Sequence, residues 1–449
     1  MVTATATATR PAPARLLPAL GPERPFRMPE TVDAVLPNGL RVLAVRSPSV
    51  PLVEVRVRLP LPAPEPGLNA AAQILCSLLL RRTAGRTPEA LDDAMGRAGA
   101  SLHCATDERW LGIYGSATAA GLPVVLDVLV EALVSPSHED ADLDLARRRI
   151  VEKIRVTRAQ PRVFAREALR VHRHGDLPAL RMTPDERTVA GITAEQVLAL
   201  HQQVLRPRGA LLVLVGDIDP HAVVHHLETI TRDWRSSGTS VRSSYRPPLT
   251  GTGIALVDRP GAVQSQVVLA APAPPRTDPR FAALNVATMV VGGYFSSRLV
   301  TRLREEEGLA YRVDAGLDEV FDDSSVVIDV DTATDATARA ARLIRAELDD
   351  LTGGGASEEE IESARRYLLG MTAIGLGSQS ALATALSNAV GFGHEPHWLV
   401  SQPEELRRLP HAEVRAAIEE FYAPSRFTGV ITGDAARLSD TLTPADLTW

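Results

Sequence analysis

A fixed internal offset constrains this chain more than any other feature. Val197, Pro207 and Gly216 recur as Val414, Pro424 and Gly433, each pair 217 residues apart. The pattern around them recurs too. Ile192-Thr193-Ala194-Glu195-Gln196-Val197 opens a helix ending near His201, Arg206-Pro207-Arg208 makes a turn, Ala210 to Val215 reads as a buried strand, and Gly216-Asp217 closes it. Later, Leu409-Pro410-His411-Ala412-Glu413-Val414 opens a helix ending near Tyr422, Ala423-Pro424 turns, Thr428 to Ile431 forms the strand, and Gly433-Asp434 closes. Chance does not hold a helix, a proline turn, a strand and a Gly-Asp pair at one spacing. The chain is therefore expected to contain two copies of one unit, and 449 residues exceed what a single hydrophobic core serves.

The beginnings of the two halves agree with this. Leu52-Val53-Glu54-Val55-Arg56-Val57-Arg58-Leu59 alternates as a half-buried strand does, and Val263 to Leu269 is a looser version. Each is followed by a Pro-rich turn and an apolar helix, expected over Leu68 to Arg82 and over Phe281 to Val291. Helix and strand signals are mixed rather than strictly alternating, so the fold class is α+β, with two homologous domains. The boundaries expected are a flexible tail over residues 1–30, a first domain over 31–234, a Ser/Pro/Gly-rich linker over 235–251, and a second domain over 252–449.

Composition removes several function classes. A net charge of −7 leaves no basic excess to neutralise phosphates, which argues against nucleic acid or an anionic membrane surface as partner. No apolar run approaches the roughly 18 residues of a membrane span, and the Thr/Ala/Pro-rich start has no apolar signal-peptide core. Cys76 and Cys104 make neither a disulfide framework nor a Cys-x-x-Cys site, which suits a reducing cytoplasm. His221, His225, His226 and Glu228 follow Asp219-Pro220 and include an i, i+4 histidine pair, but no carboxylate is identified at a matching third ligand position, so they read as a solvated helix face. His172 and His174 read as surface turn residues, and His394 and His397 as loop residues around Pro396.

Motifs along nearly the whole chain resemble the pitrilysin/insulinase-type zinc peptidases (inverzincins), in particular their mitochondrial-processing-peptidase-like branch. They include Leu36-Pro37-Asn38-Gly39-Leu40, Gly67-Leu68 and Gly99-Ala100-Ser101-Leu102. The most specific is Gly292-Gly293-Tyr294-Phe295-Ser296-Ser297-Arg298-Leu299, followed by Arg304-Glu305-Glu306-Glu307-Gly308-Leu309-Ala310-Tyr311. The resemblance implies a clamshell-like half of a peptidase chamber. It also implies His-x-x-Glu-His on the first helix, where two histidines one turn apart grip zinc and the glutamate serves as base. Here those positions are Ala70, Gln73 and Ile74, and the distant ligand position falls in Ala146-Arg147-Arg148-Arg149, a cationic stretch hostile to Zn²⁺. No catalytic or metal-binding residue is therefore assigned, and no cofactor is expected in this chain; zinc is expected in a partner.

What remains intact is the second-half motif. The resemblance implies that Arg304 and Tyr311 reach toward a peptide bound in a chamber closed by a homologous, zinc-bearing subunit, donating hydrogen bonds to its carbonyl and to the developing oxyanion. Phe295 and Ser296 belong to a stretch read either as a mobile substrate-lining loop freed by Gly292-Gly293, or as a helix stop with a buried Phe. The edge strand that takes up substrate in active relatives corresponds to His103 to Thr106. The expected function is that of a non-catalytic subunit in a heterodimeric zinc endopeptidase. The alternative is a structural or peptide-binding protein without a role in proteolysis.

Overall fold

A computed structural model describes residues 26–135, 137, 139–235 and 244–449. Most of the expected tail, and residues 236–243 of the expected linker, lie outside the described residues. Two sheets organise the rest. The first contains β1 (Thr31–Val35), β2 (Arg41–Arg46), β3 (Leu52–Pro60), β4 (Ser101–Thr106), β5 (Trp110–Thr118) and β6 (Leu211–Gly216), in the spatial order β1-β2-β6-β3-β5-β4. The second contains β7 (Ile254–Asp258), β8 (Gln264–Ala273), β9 (Ala310–Val320), β10 (Asp323–Ala333) and β11 (Thr428–Gly433), in the order β7-β11-β8-β10-β9.

Without β1 the two orders are the same. In each, the last strand of the half inserts parallel to the first, and every other neighbouring pair is antiparallel. The 217-residue offset thus has a structural cause, since β6 and β11 occupy equivalent slots. The repeated glycine has one as well. A Cβ on Gly216 would sit 2.2 Å from the Leu52 carbonyl oxygen, and one on Gly433 would sit 2.4 Å from Ser265 Oγ, so only glycine permits these strand crossings.

The inner strands are buried on both faces, which is why β6 reads as an unbroken apolar run. Alternation sorts their side chains: Val42, Ala44, Leu212 and Leu214 enter the main core of the first half, whereas Leu43, Val45, Leu211, Val213 and Val215 face the other way. That second face is covered by Leu382, Ala383, Leu386 and Ala389 from the helix Gln379–Gly391, which belongs to the second half. The reverse also holds. Ala165 and Leu169, from the first-half helix Pro161–His174, pack on Val268, Ala270, Val327 and Val430 of the second sheet. Each half therefore lends one helix to the other.

The end of Pro161–His174 corrects the reading of its histidines. His174 is buried rather than in a surface turn, and its Nδ1 meets the Pro248 carbonyl at 2.9 Å; His172 Nε2 meets the Gly253 carbonyl at 3.1 Å. Arg173 donates to Asp323 at 3.1 Å, with both side chains almost fully buried. Desolvation, aided by the Arg173 charge, lowers the His174 pKa, so the folded state holds the neutral ring; Pro248 and Asp323 oppose this but do not win. A depressed histidine pKa contributes stability that is complete above the unfolded value of about 6.5 and is lost as pH falls through the folded pKa. The free energy of urea unfolding is therefore expected to fall between pH 7.5 and 5.5, by at most about 1.4 kcal/mol per pH unit from this one site. His174→Gln keeps a donor for Pro248 and should flatten that slope; equal slopes in the two proteins would refute the assignment.

Among the described residues, no helix is long and apolar enough to cross a membrane.

Candidate functional site

The helix Leu68–Leu79 begins after Gly67, whose φ of 88° suits glycine, and turns Ala70 and Ile74 onto one fully buried face. Both lie in the same apolar cluster as Ala146 from the helix Asp140–Ala159. Gln73 donates to Asn69 Oδ1 at 2.9 Å, and Asn69 in turn caps the Arg181 carbonyl at 3.1 Å. The positions that the resemblance assigns to zinc ligands are thus packed shut. The cationic stretch corrects in detail: Arg148 and Arg149 are exposed, and Arg147 donates to the Ile192 carbonyl and pairs with Asp144, so apolar filling, not positive charge, occupies this site.

Among the described residues no group of three or more His, Cys, Asp or Glu side chains could hold a metal ion. His221, His225 and Glu228 are exposed and His226 is half-buried. The purified chain is expected to hold far less than stoichiometric zinc after dialysis against zinc-free buffer. Atomic absorption reads this directly, and one tightly held zinc per chain would contradict it.

In the second half the expected residues do come together. The segment Thr301–Glu306 winds as a wide π turn, and Gly308, at φ 62°, lets the chain reverse into β9. Asp331 pairs with Arg312 and Thr332 with Ala310, so Tyr311 is the extra residue of a β-bulge on an edge strand. Bulges re-aim side chains, and Tyr311 is 83% exposed. The Arg304 guanidinium lies over two rings, 4.8 Å from the Phe295 centroid and 5.4 Å from the Tyr311 centroid. Such contacts stabilise by about 0.5–1 kcal/mol each at exposed sites, enough to bias the rotamer of a flexible side chain.

The acids beside Arg304 are mostly engaged elsewhere. Glu306 pairs with Arg302 at 2.7 Å, and Glu307 pairs with Arg302 and Arg339. Among the described residues Glu305 is the acid that meets Arg304, at 3.4 Å. Arg304 therefore retains donors for a ligand, framed by two aromatic rings that are themselves exposed.

The glycines before Phe295 serve packing. A Cβ on Gly292 would lie 2.8 Å from the Ala315 side chain, and one on Gly293 would lie 2.4 Å from Met289. Met289–Gly293 forms a second π turn against β9, and residues 294–297 follow it as a short turn. Phe295 is 60% exposed, which removes the buried-Phe alternative. Ser296 is exposed beside it but stands outside the Arg304 cluster; Ser297 is the hydroxyl that turns inward, donating to the Tyr294 carbonyl at 2.6 Å.

Two further surfaces lie near these residues or on the first sheet. Tyr367, Met371 and Ile374 line one exposed face of the helix Glu358–Gly375, and Tyr367 stacks on Tyr294 at 4.9 Å, joining that stripe to the segment that carries Phe295. Their i, i+4, i+7 spacing was available in the sequence, although the same spacing ordinarily marks a core face. A cleft of about 390 Å³ also opens between β3, β5 and the borrowed helix Gln379–Gly391, lined by Arg58, Trp110, Tyr114 and Asn388. Its walls come from three distant segments, so no local pattern announces it. As expected, β4 is an edge strand of the first sheet, opposite β1.

A family profile described as the peptidase M16 inactive domain matches residues 191–368, a stretch that includes Phe295, Arg304 and Tyr311. That stretch of the chain is similar to the M16 inactive domain. An uncharacterised zinc protease of Streptomyces coelicolor is 25% identical over 365 residues, covering 79% of each chain. An uncharacterised zinc protease of Mycobacterium tuberculosis is 26% identical over 392 residues, covering 85% of this chain and 86% of its own. The M16 inactive domain structure from Pseudomonas fluorescens superposes with a TM-score of 0.82 at 19% identity, covering 90% of this chain and 98% of that one. A Helicobacter pylori protease gives 0.81 at 17% identity, covering 90% and 100%. These two likenesses establish the fold alone.

Proposed function

We propose that this chain is the non-catalytic subunit of a heterodimeric zinc endopeptidase, working in the cytoplasm and lending half a chamber to a homologous partner that carries the metal. The observation that carries the reading is an asymmetry. The zinc-ligand positions are packed with Ala70, Ile74 and Ala146, while Arg304 stands between two exposed aromatic rings with donors to spare. A bound peptide would present a carbonyl to that guanidinium and to the Tyr311 phenol. Both are donors, and both would stabilise negative charge growing on the carbonyl oxygen of a peptide held in the chamber.

The test is reconstitution. A zinc-bearing M16 subunit from the same organism is assayed on an internally quenched peptide with and without this chain. Cleavage is expected only in the mixture, with a one-to-one complex on gel filtration. Complex formation without any gain in cleavage would favour a structural or peptide-binding role, and cleavage by this chain alone would overturn both readings.

A further inference from the structure

The chain has two cysteines, and the fold brings them face to face although the proposed function uses neither. Cys76 lies on the helix Leu68–Leu79 and Cys104 on the edge strand β4. Residues of β4 alternate between exposed and half-buried, and Cys104 belongs to the half-buried set that faces the helix. Its S–H donates to Cys76 Sγ across 2.8 Å. Both residues are half-buried at the rim of the first core, so a small oxidant can reach them while the surrounding packing holds them together.

We propose that Cys76 and Cys104 form a reversible thiol–disulfide pair that closes on reaction with a hydroperoxide and ties the helix Leu68–Leu79 to β4. The inference does not depend on the proposed function. Cys76 is the attacking sulfur, because it accepts the hydrogen bond, and desolvation next to it pushes the Cys104 thiol well above its usual range and keeps that thiol protonated. In the first step Cys76 sulfur displaces hydroxide from the peroxide oxygen, giving a sulfenic acid; with the thiol proton, one water is released. In the second step Cys104 sulfur attacks that sulfenic sulfur, its proton leaves with the hydroxyl as a second water, and the S–S bond forms. The two thiols are oxidised and the peroxide is reduced, and a dithiol reductant reverses the change.

The experiment uses the full chain, treated with equimolar hydrogen peroxide, alkylated under denaturing conditions and peptide-mapped. The expected result is loss of both alkylatable thiols, a cross-linked peptide pair containing Cys76 and Cys104, and recovery with dithiothreitol. Closing a loop of this length should raise the Tm by about 5 °C over the reduced chain. Cys104→Ser should leave Cys76 as a sulfenic acid that dimedone traps, whereas Cys76→Ser should leave Cys104 reduced. Thiols that remain alkylatable, cross-links between chains, or sulfinic acid in the unsubstituted protein would overturn the proposal.

Discussion

Replacing Arg304 with alanine is expected to lower kcat/KM of the reconstituted peptidase by roughly 100-fold. Removing one donor to a developing oxyanion costs about 10²–10³ in rate, and the partial exposure of Arg304 in the free chain puts this case at the lower end. Arg304→Lys keeps the charge but loses the planar fork and the stacking on Phe295 and Tyr311, so it should recover only part of the loss. Tyr311→Phe removes a donor and keeps the ring, separating the phenol's part from packing. Stability is a control here, because two exposed cation–π contacts contribute only about 1–2 kcal/mol together. An Arg304→Ala assembly that cleaves at the unsubstituted rate would remove the oxyanion role altogether.

The second large effect is on stability. Asp323→Ala should cost about 3–5 kcal/mol in urea unfolding, because it leaves the Arg173 guanidinium buried without its partner. Burial already strains the pair from both sides. Desolvation raises the Asp323 pKa and lowers that of Arg173, and each opposes the other's shift by attraction. Replacing both residues together, as Arg173→Met with Asp323→Leu, should cost much less than the single change, since no charge is then stranded. If the double variant is as unstable as the single one, the cost lies in lost packing, and the ion-pair explanation fails.

What was legible in the sequence follows from how far apart the interacting residues lie. The duplication could be read because β6 and β11 are central strands, whose burial on both faces forces unbroken apolar runs between a proline turn and a glycine crossing. Arg304, Phe295 and Tyr311 could be read together because they share one short segment. The bulge that turns Tyr311 outward could not, since it depends on register with Asp331 and Thr332 across the hairpin. The helices Pro161–His174 and Gln379–Gly391 look like any amphipathic helix; nothing local says that each covers the opposite sheet. For the same reason His172 and His174 passed for turn residues. Their partners, Gly253 and Pro248, lie some 75–80 residues further on. The arginines after Ala146 do not fill this site because side-chain direction on a helix matters more than composition, and of these four residues Ala146 alone turns fully inward.

The borrowed helices carry a consequence for how the chain is made. When the first sheet leaves the ribosome, Leu43, Val45, Leu211, Val213 and Val215 have Phe26 and Met28 beside them but lack the cover of Gln379–Gly391, which has not yet been synthesised. Pro161–His174 likewise emerges before the strands it will shelter. The nascent first half must wait with an apolar face largely bare, a state prone to aggregation or chaperone capture, until that helix arrives. Long-range closure of this kind slows folding. It also makes completion of the second half a condition for maturation of the first, so that a truncated product is marked for disposal by the surface it cannot cover.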